Sequence, residues 1–448
     1  MTRKSLLSPA LLAGALLVCL SILAPAAAIA QDDGFVLVAP HWGAQQTAAV
    51  EAAGGAVVYG HPTSGIGLAT STAPDFLDRV MASKAFKYGA PDVVVQWQPD
   101  VPTQQAITPE DETFYPFQWS LTALEAPAAW NAGCTGAGAR VAILDGGIYD
   151  QHVDLDDNLD TACSVSFVPG FAFNEDTGTF WHGTHVAGIV AAEDNGIGVI
   201  GVAPEATLIG VKVLHSGSGS FGWVIGGILY ASDPASFGLG SCAKADIINM
   251  SLGGLFPKSA TGGGQLFAAL NKAVNFAASQ GVLVVSAAAN DGIDLGQAYD
   301  YVVVPAESGS GIAVSATGPT GFAYGATNFT RLASYTNYGE DVIWVAGPGG
   351  DFTLVFQNPP DPFWFYDMVL STSRGPDDNG FYYTWAAGTS QATPAVSGVA
   401  ALIKGANPNI PLGALKTRLA QSAVDVGPIG HDQYYGHGFA NAYNACTQ

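Results

Sequence analysis

Short, mostly apolar runs without regular polar alternation stand at Val141–Leu144, Leu208–Leu214, Ile247–Met250 and Val282–Ser286. Runs of this kind predict strands covered on both faces, since a half-exposed strand would alternate polar and apolar positions. Between them, residues 185–192, 221–231 and 266–279 place apolar side chains three and four apart, the period of a helix. Gly-rich turns separate the pieces. Strand and helix in alternation predict an α/β domain with a mainly parallel sheet, and in such sheets functional residues gather at the carboxyl ends of strands. A last helical run, Ala395–Ile403, follows Gly388-Thr389-Ser390.

Residues 31–104 follow a different pattern. Strands are expected at Phe35–Pro40, Ala56–Tyr59, Ile66–Thr70 and Val93–Trp97, with helices at Gln46–Ala53 and Pro74–Ala82. The order βαββαβ is that of a small ferredoxin-like α+β unit. A polar, acidic, Pro-containing stretch begins at Pro99, and its composition marks residues 105–113 as a linker and processing region before the larger domain at 114–448.

The chain opens on Arg3 and Lys4, an apolar run from Leu6 to Ala24, Pro25, and Ala28-Ile29-Ala30. A run that ends in Pro and Ala-x-Ala, without a charged stop, predicts a signal peptide over residues 1–30 and a secreted product with no membrane attachment after its removal. Cys134, Cys163, Cys242 and Cys446 remain, an even number that predicts two disulfides in an exported chain and leaves three pairings open. Charged residues make up 12% of the chain, against roughly 25% in an average domain, so a large core is easy to build. The net charge of −22 argues against a nucleic-acid partner, which needs a basic face.

Candidate chemistry lies where the pattern places strand ends and helix starts. Asp145 follows the strand 141–144 and precedes Gly146-Gly147, so its carboxylate can hold an imidazole from the side. His182 opens a helix in Trp181-His182-Gly183-Thr184-His185, with His185 one turn further in as a buried structural residue. Zinc is excluded there, because HExxH needs a Glu that Gly183 does not supply and one residue more between the histidines. Asn290 ends the strand 282–286 after Ala287-Ala288-Ala289 and can donate an amide N–H to an oxyanion. Ser390 stands at a loop-to-helix junction, where the helix dipole and free N–H groups favour developing negative charge.

Asp, His, Asn and Ser in this order, within VAILDGGI (141–148), HGTHVAG (182–188), NMSLGG (249–254), AAANDG (287–292) and GTSQATP (388–394), resemble the subtilisin-like serine proteases, the subtilases, over residues 114–445. The resemblance implies a three-layer α/β fold and peptide-bond hydrolysis through an acyl-enzyme. Ser390 would be the nucleophile, His182 the general base and acid, Asp145 its orienting carboxylate, and Asn290 an oxyanion donor. No cofactor is required for that chemistry. Ser251, Leu252 and Gly253 would form the edge that binds the peptide or protein substrate, with Ala287, Ala288 and Ala289 as the facing wall. Asp154 and Asn195, with the carbonyls of Glu193, Ile197 and Val199, correspond to a structural calcium loop of the family. Residues 31–104 correspond more loosely to its pro-domain, an intramolecular inhibitor removed by self-processing, and the mature enzyme is expected to be a monomer. Gly146, Ala289 and Gln391 depart from the family's usual Ser or Thr, Gly and Met, and residues 347–369 are extra sequence. These departures support the alternative, a subtilase-fold binding protein without turnover.

Overall fold

The computed structural model describes residues 29–98, 103–105, 114–175, 181–260, 262–298, 300–374 and 381–448. The expected leader up to residue 28 and the expected linker over 106–113 lie outside them. The described chain opens with β1 (Ile29–Val38), α1 (Ala44–Ala52), β2 (Ala56–Gly60), β3 (Ile66–Thr70), α2 (Phe76–Ala82) and β4 (Tyr88–Gln96). Helix α1 stops at Gly54, which turns the chain at a φ of 87° that a side chain would resist. The strands pair antiparallel in the order β2-β3-β1-β4.

Neighbouring residues of a strand point to opposite faces, and this sheet uses both. Leu37 and Ala69 face α1 and α2, in a core with Val50, Phe76 and Val80. Val36, Val38, Ile66 and Leu68 point the other way, into a core shared with Phe221, Val224 and Ile225 of the larger domain. Each such side chain taken from water contributes roughly 1.5–3 kcal/mol, so the N-terminal unit is held by a hydrophobic face and not by a tether alone.

Strand β5 (Thr103–Gln105) precedes the larger domain, which continues with α3 (Trp119–Ala123), α4 (Ala126–Asn131), β6 (Arg140–Asp145), β7 (Val165–Ser166), α5 (His182–Ala191), β8 (Thr207–Lys212), β9 (Ser218–Ser220) and α6 (Phe221–Ser232). It goes on through β10 (Ile247–Met250), β11 (Gly254–Pro257), α7 (Gly263–Ser279), β12 (Leu283–Ala287), β13 (Tyr301–Val304), β14 (Ile312–Thr317) and β15 (Ile343–Pro348). The hairpin β16 (Val369–Arg374) and β17 (Phe381–Ala386), then α8 (Thr389–Ala406), α9 (Leu412–Ser422) and α10 (Ala442–Thr447), complete it.

Seven strands form a parallel sheet in the order β15-β14-β12-β10-β6-β8-β7. The apolar runs have the expected cause. Val141 and Ile143 of β6 join the core beneath α5 and α8, while Ala142 and Leu144 join the core beneath α6 and α7. Helices on both faces make three layers, as expected. Disulfides join Cys134 to Cys446 and Cys163 to Cys242, a pairing that sequence left open. They close loops of 312 and 79 residues, and cross-links of this kind typically stabilise by about 2–4 kcal/mol each.

Candidate active site

Strand β6 runs in the middle of the sheet and ends on Asp145, which is buried. The Gly146 N–H donates to its Oδ1 at 2.6 Å, so the residue that departs from the family pattern still supplies a bond, through its backbone. Helix α5 begins at His182, whose Nδ1 lies 2.9 Å from Asp145 Oδ2 and 3.0 Å from Oδ1. A carboxylate only accepts, so this contact calls for a proton on Nδ1. The approach of α5 to β6 needs Gly183, because a Cβ there would stand 2.0 Å from the Gly147 carbonyl oxygen.

Ser390 is the second residue of α8 and is nearly buried. Its Oγ donates to the Ser251 carbonyl at 3.2 Å, and Ser251 Oγ returns a bond to the Ser390 carbonyl at 2.8 Å. Asn249 Nδ2 donates to Ser251 Oγ, and Ser397 Oγ donates to Asn249 Oδ1, so the end of β10 is fastened to α8. Asn290 Oδ1 accepts from Thr389 N and Thr389 Oγ1, both at 2.9 Å. That assigns the oxygen to Thr389 and leaves Nδ2 as the donor end of the amide. His182, Asn290, Gly388 and Ser390 line one small cavity. The fold thus brings together all four residues that the sequence singled out.

Backbone strain marks the same place. Among the described residues, Lys84, Glu125, Trp181, Ser216 and Ala289 are non-glycine residues with positive φ. Trp181 and Ala289 directly precede His182 and Asn290, and Ser216 precedes Gly217, which accepts bonds in the cleft described next. Such conformations cost on the order of 1–3 kcal/mol and persist where the surroundings enforce them.

The edge expected to bind substrate carries a segment of the N-terminal unit. Residues Val94–Gln96 pair antiparallel with Ser218–Ser220, joining β9 to the N-terminal sheet. Beyond them, Trp97 N donates to Gly217 O at 2.9 Å and Trp97 O accepts from Gly253 N at 3.0 Å. The chain therefore lies as an extra strand between two edges of the larger domain. Gly253 faces the opposite wall, since a Cβ on it would lie 3.5 Å from Ala289 Cβ. Leu252 buries its side chain in the α6–α7 core, so it can serve the edge only through its backbone. Gln98 follows and lines the cavity; its Nε2 is 3.0 Å from Asp145 Oδ1 and 2.8 Å from His182 Nδ1. The next described segment, β5, pairs with β17 over Thr384–Ala386, just upstream of Ser390.

The sequence reading overlooked several of these residues. The alternating Gly and Ser of 216–220 mark an open strand edge and could have been read as one. The contacts of Trp97 and Gln98 carry no local signal. Nor does Asp92, buried in β4 at the start of α6, where Gly222 N donates to its Oδ1 at 3.0 Å. Burial pushes its carboxyl up to about 6, opposed by hydrogen bonds from Ser220 and nearby backbone. His185 is buried as expected, with Nε2 paired to the Thr384 carbonyl, and desolvation lowers it to about 3, which keeps it neutral.

The loop expected to bind calcium comes together, with its donors largely engaged. Asp154 Oδ2 accepts from Tyr383 Oη at 2.8 Å and from Val199 N at 3.0 Å. Asn195 Oδ1 accepts from Ile197 N, and Glu193 Oε1 from Asp157 N. Asp154 Oδ1 is buried with no hydrogen-bond partner among the described residues, and burial raises this carboxyl to about 6. A cage for calcium needs six to eight oxygens turned to one point. No group of three or more His, Cys, Asp or Glu residues that could hold a metal occurs among the described residues. Apart from Asp154 Oδ1, the side-chain oxygens named here serve the loop's own backbone and Tyr383.

The extra residues 347–369 are anchored and not a loose flap. Asp351 is buried, bonded to Arg331 Nη2 and Ser334, and Phe352 stacks on Tyr335 at 5.3 Å. Tyr366 packs against Phe117 and Trp385.

Comparison with known proteins agrees with this geometry. Residues 136–438 match the subtilase family, peptidase S8. The chain is 36% identical to subtilisin Savinase of Lederbergia lenta over 325 residues, covering 72% of this chain and 96% of that one. It is 34% identical to the minor extracellular protease Epr of Bacillus subtilis, of which the match spans 40%. Among solved structures, a protease of Pseudoalteromonas arctica superposes with a TM-score of 0.60 at 30% identity, covering 76% of this chain and 99% of that one. The epidermin leader peptide processing serine protease of Staphylococcus aureus, at 24% identity, shares the fold with a TM-score of 0.72 over 92% of this chain and 97% of its own.

Proposed function

Because this chain belongs to the subtilase family of serine endopeptidases, we propose that Asp145, His182 and Ser390 are its catalytic triad, with Asn290 as an oxyanion donor. Ser390 Oγ, which rests on the Ser251 carbonyl, turns to His182 Nε2, gives up its proton and attacks the substrate carbonyl carbon. Asp145 holds the proton on Nδ1 and stabilises the imidazolium that forms. The oxyanion takes bonds from Asn290 Nδ2 and the Ser390 N–H at the positive end of α8. His182 then passes the proton to the leaving amine, and water, deprotonated by the same imidazole, releases the acyl group. The observation that carries this reading is the Asp145–His182 contact at 2.9 Å beside the cavity that His182 lines with Asn290 and Ser390. A binding protein without turnover draws no support, since no catalytic group is missing.

The N-terminal unit is the enzyme's own inhibitory pro-domain, ferredoxin-like in its βαββαβ order and its strand order 2-3-1-4. It lays residues 94–98 into the cleft, where a substrate would lie. Self-processing falls between Gln98 and the linker expected at 105–113, and the mature product is a secreted monomer that acts on peptides or proteins. The leader sequence and two disulfides support export. The loop at Asp154 is braced by the bond from Tyr383. Ser390→Ala should abolish peptide cleavage, labelling by a fluorophosphonate, and conversion of the precursor. Normal maturation of that variant in a host lacking other proteases would overturn self-processing.

A further inference from the structure

Gln391 follows Ser390 on the first turn of α8 and is buried. It lines the cavity that His182, Asn290 and Ser390 also line. Its Nε2 faces Nδ1 of the buried His185 at 3.5 Å. Its Oε1 is buried and has no hydrogen-bond partner among the described residues. A carbonyl oxygen buried without a donor is costly, and one that a native fold keeps calls for a cause, such as a part in catalysis. The position of this oxygen supplies one. A Cβ placed on Gly388 would lie 3.0 Å from Gln391 Oε1, 3.4 Å from Asn290 Nδ2 and 3.5 Å from Ser390 N. The acceptor therefore stands beside both groups read above as oxyanion donors. It can be satisfied by a donor hydrogen on a molecule that enters the site. Water is the reactant that brings two O–H groups, one for the base and a second that needs an acceptor.

We propose that Gln391 is a further catalytic residue, whose Oε1 accepts from the water that hydrolyses the acyl-enzyme and aims it at the ester carbonyl. This rests on the reading of Asp145, His182 and Ser390 as the triad. One O–H of that water faces His182 Nε2 and the other faces Gln391 Oε1. The water oxygen attacks the acyl carbon as the first proton passes to Nε2. The carbonyl then re-forms, the bond to Ser390 Oγ breaks, and Oγ takes that proton back. The second proton stays with the released acid. The methionine usual at this place in the family offers only a weak acceptor, so the arrangement belongs to this chain's own departure from the pattern. Gln98 lines the same cavity, so the place for water opens when the N-terminal unit leaves.

The test separates deacylation from acylation. Wild type, Gln391→Met and Gln391→Leu, each matured from the full-length chain, are mixed with a p-nitrophenyl ester in a stopped-flow instrument. The burst amplitude counts working sites, so a variant that folds incompletely is still read per site. The burst rate reports acylation, whose nitrophenolate leaving group brings no N–H. The steady rate per site reports deacylation by water. Methionine keeps the length and bulk of glutamine. Both variants should deacylate roughly tenfold more slowly, the size of one hydrogen bond, while acylating within about twofold of wild type. Deacylation within about twofold of wild type in both variants, or acylation and deacylation slowed by one common factor, would overturn the assignment. A wild type that neither hydrolyses the ester nor takes a fluorophosphonate label would instead overturn the triad, so the two failures are separate.

Discussion

Asp92 gives the sharpest test of how the N-terminal unit is held. In the folded chain it is fully buried between β4 and the start of α6, its Oδ2 has no hydrogen-bond partner among the described residues, and its carboxyl is pushed up from 3.8 to about 6. The folded state binds that proton more tightly than the unfolded chain does. Its contribution to stability is therefore present below about pH 4, declines as pH rises to about 6, and is absent above. At 1.36 kcal/mol for each tenfold change, the upper size of the effect is about 3 kcal/mol. Asn cannot ionise. Asp92→Asn should match wild type near pH 4 and exceed it by up to about 3 kcal/mol at pH 7. His61, in the same interface and facing Asp233, is lowered by burial and titrates in the opposite sense, but it is common to both chains and cancels in the difference. Urea unfolding at the two pH values, in a Ser390→Ala background and followed by tryptophan fluorescence, reads the difference directly. An identical gap at both pH values, or a wild type more stable than Asp92→Asn at pH 7, would refute the reasoning.

Asn290→Ala should lower kcat by about 10²–10³ with little change in KM, a size known from the equivalent donor of a subtilisin, and a KM effect alone would remove Asn290 from the oxyanion site. Tyr383→Phe deletes a donor to the buried Asp154 carboxylate and should cost about 1–3 kcal/mol in urea unfolding. Chelator should leave the melting temperature of wild type unchanged; a drop of several degrees would show that the loop does hold calcium. Ala289→Gly relieves a φ of 69° and should raise stability by about 0.5–1 kcal/mol, while removing a methyl from the wall facing Gly253. A destabilised Gly variant would mean that the Ala289 methyl contributes packing that outweighs the strain.

The sequence by itself determined the layers and singled out the residues that meet at the candidate site. Strands such as Val141–Leu144 had to be covered on both faces, because no polar residue interrupts them to meet water. Asp145, His182, Asn290 and Ser390 were legible because each stands where a strand ends or a helix begins, positions fixed by local pattern. What only the tertiary structure decided is contact between segments far apart in the chain. Gln98 against His182, Asp92 against Gly222 and Tyr383 against Asp154 depend on where the N-terminal sheet and the β16–β17 hairpin come to rest, and the cysteine pairing on how α10 meets α4 and the chain after α6 meets the turn before β7. Hydrophobic docking sets those positions, and it has no period and no direction along the chain from which the partners could be read.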